Sequence, residues 1–326
     1  MDLVSVIIPT YKGNTALSRA IDSVLNQRHT EIEVIVVDDN APHSQERTLT
    51  EMIMESYQGD DRVIYIKHKE NLNGAVARNT GIARATGAYI AFLDDDDYYL
   101  EDRVGQCVQY MSVHKNMIGV YVGVDVVDED ENITMQIRPE KELVVSDLLM
   151  DEMAIGTGSN IFVRRAVISE IEGFDTRFAR RQDTEFMIRV CRCGSVGFIR
   201  DKLIVKSVNG TSNLPTYAKM EGTLNLFFEV FQNDIDALGR QKTVFYARQY
   251  RTLLYAAMQE RDREEIKDAR DMIRQFGKLS WKEQFLIFLY TFNIRDNKVV
   301  STGIRWKRNV ESFIIKRKEG QIHRRK

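Results

Sequence analysis

Four short runs, VSVIIP (4–9), EVIVVDD (33–39), VIYIKH (63–68) and AYIAFLD (88–94), are apolar at nearly every position instead of at alternate ones. A strand with one face in water alternates apolar and polar residues, whereas a strand covered on both faces does not need to. Between the runs lie helical patterns. After Asn14 or Thr15 as a cap, Leu17, Ala20, Ile21, Val24 and Leu25 repeat at three- and four-residue spacing; after Gly74, residues 75–85 do the same and Gly87 closes the segment. Strand, helix, strand in succession predicts an α/β fold with a mostly parallel, doubly wound sheet flanked by helices. In such sheets ligands bind beyond the carboxyl ends of the strands. That rim is where the sequence places Tyr11, Asp38, Asp39 and the run of four carboxylates Asp94, Asp95, Asp96 and Asp97.

The texture changes after the last proline. Prolines stand only at 9, 42, 139 and 215, and the remainder is rich in helix formers. With 326 residues, 43% of them hydrophobic, the chain is long enough for about two domains. The expected division is an α/β domain over 1–213, falling into halves over 1–97 and 98–213, followed by a helical region over 214–326. A formal net charge of −2 argues against a nucleic-acid partner, although Arg305, Lys307, Arg308, Lys316, Arg317, Lys318, Arg324, Arg325 and Lys326 make the last stretch basic. The first residues read directly into a strand and no apolar run reaches the roughly 20 residues of a spanning helix. Cys107, Cys191 and Cys193 are odd in number, and Cys-x-Cys on a helix directs its thiols apart, so reduced thiols and a cytoplasmic location are expected.

Like charges crowded at a ligand-binding rim call for a counter-ion. Hard oxygen ligands suit Mn²⁺ or Mg²⁺, which bind through one or two carboxylates plus substrate phosphates, so the expected ligand is a nucleotide carrying a diphosphate. The stretch PTYKGNTAL after the first strand has neither the Gly-x-Gly-x-x-Gly of dinucleotide enzymes nor a P-loop, and GTGS at 156–159 is too short a fragment to supply either.

The segments VSVIIPTYKG (4–13), VIVVDDNA (34–41), NLNGAVARNTGIARATGAYIAFLDDDD (71–97) and GFDTRFARRQDTEFMIRV (173–190) resemble, in order and spacing, the inverting glycosyltransferases of the GT-A fold, family 2. The resemblance covers about residues 3–210 and implies the following roles. Pro9, Thr10 and Tyr11 form the loop that holds uracil and ribose, Asp39 accepts from the base N–H, and Asn71 and Arg78 line the uridine and diphosphate. Asp94 and Asp96 take the outer places of the family's Asp-x-Asp, with Asp96 the metal ligand, Asp94 nearer the ribose and Asp95 in the variable place. Asp183 corresponds to the general base, and a helix N-cap is the alternative reading for it; Glu185 is the next carboxylate along. Gln182 stands where relatives commonly carry Glu. The His that many relatives place after the final strand is missing, which leaves Lys206, Asn209 and Ser212 as candidates near the diphosphate. The five histidines show no metal-ligand spacing and read as surface or core residues.

The resemblance implies transfer of a sugar, hexosyl or N-acetylhexosaminyl, from a UDP-sugar to a hydroxyl of a glycan or lipid-linked acceptor in bacterial cell-envelope polysaccharide synthesis. The cofactor expected is Mn²⁺ or Mg²⁺. The tail, with the apolar stretch LSWKEQFLIFLYTFNI (279–294), suggests peripheral contact with an anionic membrane or a homo-oligomer contact through the C-terminal helices. The alternative is an inactive nucleotide-sugar-binding or scaffold protein of the same fold.

Overall fold

The structure is a computed structural model in which residues 2–12, 15–150, 154–208 and 215–291 are described. It divides into two units, Met1–Ser212 with Leu226–Asp234, and Asn213–Asn225 with Ile235–Lys326. The division differs from the expected boundary at 213/214 in one segment. Leu226–Asp234 joins the first unit because Phe227 and Phe231 each lie with ring centroids 6.4 Å from Phe178. Aromatic packing outweighs chain order there.

In the first unit the chain runs β1 (Val4–Thr10), α1 (Leu17–Leu25), β2 (Ile32–Asp38), α2 (Gln45–Glu55), β3 (Val63–Lys67), α3 (Gly74–Arg84) and β4 (Tyr89–Phe92). It continues through β5 (Tyr98–Tyr99), α4 (Arg103–Val113), β6 (Gly119–Val127), β7 (Ile133–Ile137), α5 (Val145–Met150), β8 (Phe162–Arg164), α6 (Arg165–Glu170), α7 (Gln182–Cys193) and β9 (Val196–Ser207). Among the described residues the strands form one mixed sheet in the order β3-β2-β1-β4-β8-β6-β9-β5, with β7 on β6. The long pairings are parallel: Val4 to Thr10 against Ile32 to Asp38, and Val4 to Ile7 against Tyr89 to Phe92. This register brings the carboxyl ends of β1, β2 and β4 to one edge, so that Tyr11, Asp39 and the residues after Phe92 emerge side by side.

The near-continuous apolar runs follow from covering on both faces. On one face Val4, Val6, Ile8, Val34 and Val36 pack with Leu17, Ala20, Ile21 and Val24 of α1 and with Val104, Cys107 and Met111 of α4. On the other, Phe92 meets the rings of Phe174 and Phe186 edge-on at 5.1 and 5.9 Å. There α3 approaches so closely that a Cβ on Gly81 would lie 2.4 Å from Ile7 Cγ2. β3 departs from the pattern: it is half-buried, because as the edge strand it has one neighbour only.

The helix starts differ from the sequence reading. α1 begins after Ala16, which has no side chain to cap it, so Thr15 is not the cap; Asn14 lies outside the described residues. α3 is capped by Asn73, whose Oδ1 accepts from the N–H groups of Ala75 and Val76, an arrangement worth about 1 kcal/mol. The helix stops at Arg84, with Ala85 already extended. Gly87 has a different purpose: a Cβ there would sit 2.7 Å from the backbone O of Leu3 and N of Ser5.

After Pro215 come α8 (Tyr217–Val230), α9 (Gln232–Ala237), α10 (Lys242–Glu260), α11 (Arg263–Phe276) and α12 (Trp281–Thr291). In the second unit Tyr246 of α10 packs on Phe276 of α11 with centroids 4.8 Å apart, and Arg251 pairs with Glu283 of α12 at 2.6 Å. Among the described residues no helix is long and apolar enough to cross a membrane.

Candidate active site

The two carboxylates that end β2 have separate duties. Asp38 is fully buried; it accepts from the Asn40 backbone and side chain at 2.9 and 2.8 Å and from Tyr65 at 2.5 Å, and it pairs with Arg47 at 3.0 Å. It holds the strand end in place. Asp39, 3% exposed, has all four acceptor positions filled. Its Oδ1 receives His68 Nδ1 at 2.7 Å and the Leu72 N–H at 2.9 Å, while Oδ2 receives Asn71 Nδ2 at 3.1 Å and the Asn73 N–H at 3.0 Å. A carboxylate only accepts, so the His68 ring donates through Nδ1, and Nε2 is left for the Thr80 hydroxyl at 2.9 Å. Asp39 thereby shapes residues 71–73, the approach to α3. Beside it Pro9 is half-buried in β1, and Tyr11, 49% exposed, leaves the end of β1.

The acidic turn after β4 resolves into four different environments. Asp94 Oδ1 accepts from Arg78 Nη2 at 2.6 Å, and Asp95 Oδ2 accepts from Thr10 Oγ1 at 2.6 Å. Asp97 is buried; Oδ2 takes the Thr157 and Ser159 hydroxyls at 2.8 and 2.7 Å and Oδ1 the Ser207 N–H at 3.2 Å. Burial, then the charge of Asp94, pushes the Asp97 carboxyl up to about 7, with Lys206 opposing. Asp96 is raised by the same causes in the same order, against the pull of Lys206 and Arg19. Among the described residues no side chain hydrogen-bonds its carboxylate. The crowding is therefore taken up by protein donors at three positions and left open at one.

Among the described residues no group of three or more His, Cys, Asp or Glu side chains could hold a metal by itself. A Mn²⁺ or Mg²⁺ that relies on one or two carboxylates and on substrate phosphates does not require such a cage. Asp96, with no side-chain donor among the described residues and raised by burial and then by the charge of Asp94, suits a cation of that kind.

Asp183 lies in the first turn of α7, whose N-cap is Arg181 in the left-handed region at φ 61°. It is thus not the N-cap, as the alternative sequence reading had it. Its Oδ1 accepts from the Thr184 N–H at 2.8 Å, and Oδ2 has no hydrogen-bond partner among the described residues. Glu185, the next carboxylate, is buried and paired with Arg189 at 2.5 Å, so it is closed off. The loop before β8 links Asp183 to the acidic turn: a methyl group on Gly158 would lie 3.6 Å from Asp94 Oδ2, 3.7 Å from Arg78 Nη2 and 3.7 Å from Asp183 Cβ. Asp94, Arg78 and Asp183, distant in sequence, converge on one glycine.

Several residues at this rim escape the sequence reading. His68 follows β3, and a strand end on the binding edge is the signal that would have singled it out from the other histidines. GTGS, dismissed as a nucleotide-binding fragment, supplies Thr157 and Ser159 to Asp97 and Gly158 to the convergence point. Arg19 of α1 donates to the Asp96 carbonyl at 3.2 Å and to Ser207 at 2.7 Å. Lys206, near the end of β9, reaches the Gly156 carbonyl at 3.4 Å; Asn209 and Ser212 lie outside the described residues.

The profile of Glycosyl transferase family 2 matches residues 5–172, just over half of the 326. A glycosyltransferase of Rickettsia bellii is 34% identical over 209 residues, 62% of this chain and 29% of that one. The amylovoran biosynthesis glycosyltransferase AmsB of Erwinia amylovora is 30% identical over 200 residues, 58% of this chain and 64% of that one. The chain therefore spans less than two thirds of either relative. Among solved structures, S. aureus TarS 1-349 in complex with UDP-GlcNAc superposes with a TM-score of 0.55 at 15% identity, covering 89% of this chain and 92% of that one. At that identity the likeness concerns the fold, and it is the GT-A fold that the resemblance of the sequence motifs implies. The chain belongs to glycosyl transferase family 2.

Proposed function

We propose that the chain is an inverting glycosyltransferase that moves a hexosyl or N-acetylhexosaminyl group from a UDP-sugar to a hydroxyl of a glycan or lipid-linked acceptor, in the synthesis of a bacterial surface polysaccharide. The observation that carries this reading is the convergence of Asp94, Arg78 and Asp183 on Gly158, which sets a carboxylate with one oxygen unpartnered among the described residues beside the acidic turn.

The exposed ring of Tyr11 offers a stacking face for uracil, and Asp39, its acceptor positions filled, orders Asn71 to Asn73 around the base. Asp96 would hold the divalent cation, which would supply charge neutralisation to the departing UDP. Asp183 Oδ2 takes the proton of the acceptor hydroxyl as its oxygen attacks the anomeric carbon from the side opposite the diphosphate. One carboxylate suffices, because a diphosphate leaves as an anion and needs no general acid.

AmsB, by its name a polysaccharide enzyme, and TarS, crystallised with UDP-GlcNAc, support the donor and pathway class by analogy. The test is release of UDP from a panel of UDP-sugars with Mn²⁺. Slow hydrolysis of one donor is expected. Tight UDP binding with no release from any donor, with or without candidate acceptors, would identify a nucleotide-sugar-binding scaffold instead.

A further inference from the structure

Arg78 was expected to line the diphosphate, yet its guanidinium is already shared out. The side chain is 13% exposed; Nη2 donates to Asp94 Oδ1 at 2.6 Å, while Nη1 donates to Gln182 Oε1 at 2.9 Å and to the Gly74 carbonyl at 3.3 Å. The group lies over the Phe174 ring, 5.6 Å from its centroid. A bidentate grip on a phosphate needs parallel N–H bonds from one fork to one ligand. Here the fork is divided between the acidic turn and the first residue of α7.

Gln182 fits this place in a way Glu does not. Its Oε1 accepts from Arg78 and its Nε2 donates to the Phe178 carbonyl at 2.9 Å. A Glu would keep the first contact and turn an oxygen toward the Phe178 carbonyl, leaving that acceptor without its donor. Gly74 makes room for the pair, since a Cβ there would come within 3.0 Å of Arg78 Nη1 and 3.1 Å of Gln182 Oε1.

We propose that Arg78 and Gln182 form a strut that fixes the first turn of α7, and with it Asp183, at a set distance from Asp94, so that Arg78 is a positioning residue and not a ligand of the diphosphate. The strut rests on the reading of Asp183 as the proton acceptor for its effect on rate, though not for its existence. A displacement of about 1 Å at the reacting group is enough to cost roughly 100-fold in rate, which sets the scale of the effect.

The test uses the full chain. Gln182→Met preserves the length of the side chain and removes both hydrogen bonds, and Arg78→Met removes the other half. The strut predicts that Gln182→Met leaves the calorimetric Kd for UDP with Mn²⁺ within about twofold and lowers kcat for UDP release by roughly 10- to 100-fold. Gln182→Glu, which restores the Arg78 contact only, should fall between Gln182→Met and the parent. Melting temperatures of the two Met variants and their double variant report on the strut without catalysis: non-additive losses support it, and additive losses overturn it. Arg78→Met weakening UDP binding tenfold or more while Gln182→Met keeps the parental kcat would also overturn it and return Arg78 to the diphosphate. Asp183→Asn run alongside separates the two readings: parental turnover in that variant refutes the base assignment, and the melting cycle still decides the strut.

Discussion

Thr10 Oγ1 donates to Asp95 Oδ2 over 2.6 Å, joining the last residue of β1 to the second carboxylate of the turn after the neighbouring strand β4. Asp95 occupies what family resemblance treats as a variable place, and in this chain it fixes the acidic turn to the loop that carries Tyr11. Thr10→Val keeps the shape and removes the donor of a half-buried hydrogen bond to a charged group, at a cost of about 1–2 kcal/mol. The expected result is a several-fold weaker UDP complex and a lower melting temperature, with the Mn²⁺ requirement retained. Unchanged calorimetric UDP affinity would show that the turn holds its shape without this bond.

Asp96 is the carboxylate of the four that has no side-chain donor among the described residues. Asp96→Asn should abolish the Mn²⁺-dependent part of UDP binding and leave the far-ultraviolet circular dichroism unchanged, and EDTA should reproduce the loss in the parent. UDP binding by the parent that is the same with and without divalent cation would refute the metal role of this residue.

The parts of this arrangement that the sequence reveals are those governed by local pattern. Unbroken apolar runs identify β1, β2 and β4 as covered on both faces, and the rule that ligands gather at the strand ends locates the rim. What it conceals depends on side chains meeting across the fold. Nothing near Asp39 in sequence announces four donors from His68, Asn71, Leu72 and Asn73, three of which come from a loop whose course is set by the cap at Asn73. Likewise the resemblance separates the roles of Asp94, Asp95 and Asp96 but not their partners: Arg78, Thr10, and Thr157 with Ser159 for Asp97, are contributed by three different elements.

Asp183→Asn separates chemistry from binding. It retains an oxygen for the Thr184 N–H and loses the proton acceptor, so UDP affinity should stay near the parental value while turnover drops by roughly 10² to 10⁴. Glu185 cannot substitute, since it is buried against Arg189. Turnover near the parental rate would remove Asp183 from the mechanism.

Asp97 makes stability depend on pH with a definite sign. Its folded-state pKa, about 7, lies above the ordinary aspartate value of 3.8, so the folded chain favours the protonated form. The stability this contributes is fully present below about pH 4 and is lost as pH rises through about 7, on the order of 4 kcal/mol across that window at most. Asp97→Asn stays neutral. It gives up the bond from the Ser207 N–H, a loss independent of pH, and in EDTA its melting temperature should gain on the parent between pH 5 and pH 8. A constant difference over that range would mean Asp97 is ionised throughout.

The outer face of α12 bears on where the enzyme works. Trp281, Phe285 and Phe288, spaced four and three residues apart, are 72%, 52% and 49% exposed, and the only acid of the helix, Glu283, is committed to Arg251. Large aromatic side chains held in water are costly, and this stripe is followed in sequence by the basic stretch that begins at Arg305, which lies outside the described residues. Aromatic rings enter the headgroup region and each Lys or Arg near an anionic surface adds about 1 kcal/mol, so the two together suit reversible attachment to an anionic leaflet. We expect the full chain to sediment with vesicles containing phosphatidylserine at low salt and to be released at high salt. Replacing the three aromatics together by Ser should abolish that binding and leave UDP affinity unchanged. A parent that ignores the vesicles at low salt, yet changes from dimer to monomer on the same replacement, would assign the stripe to a second copy of the chain.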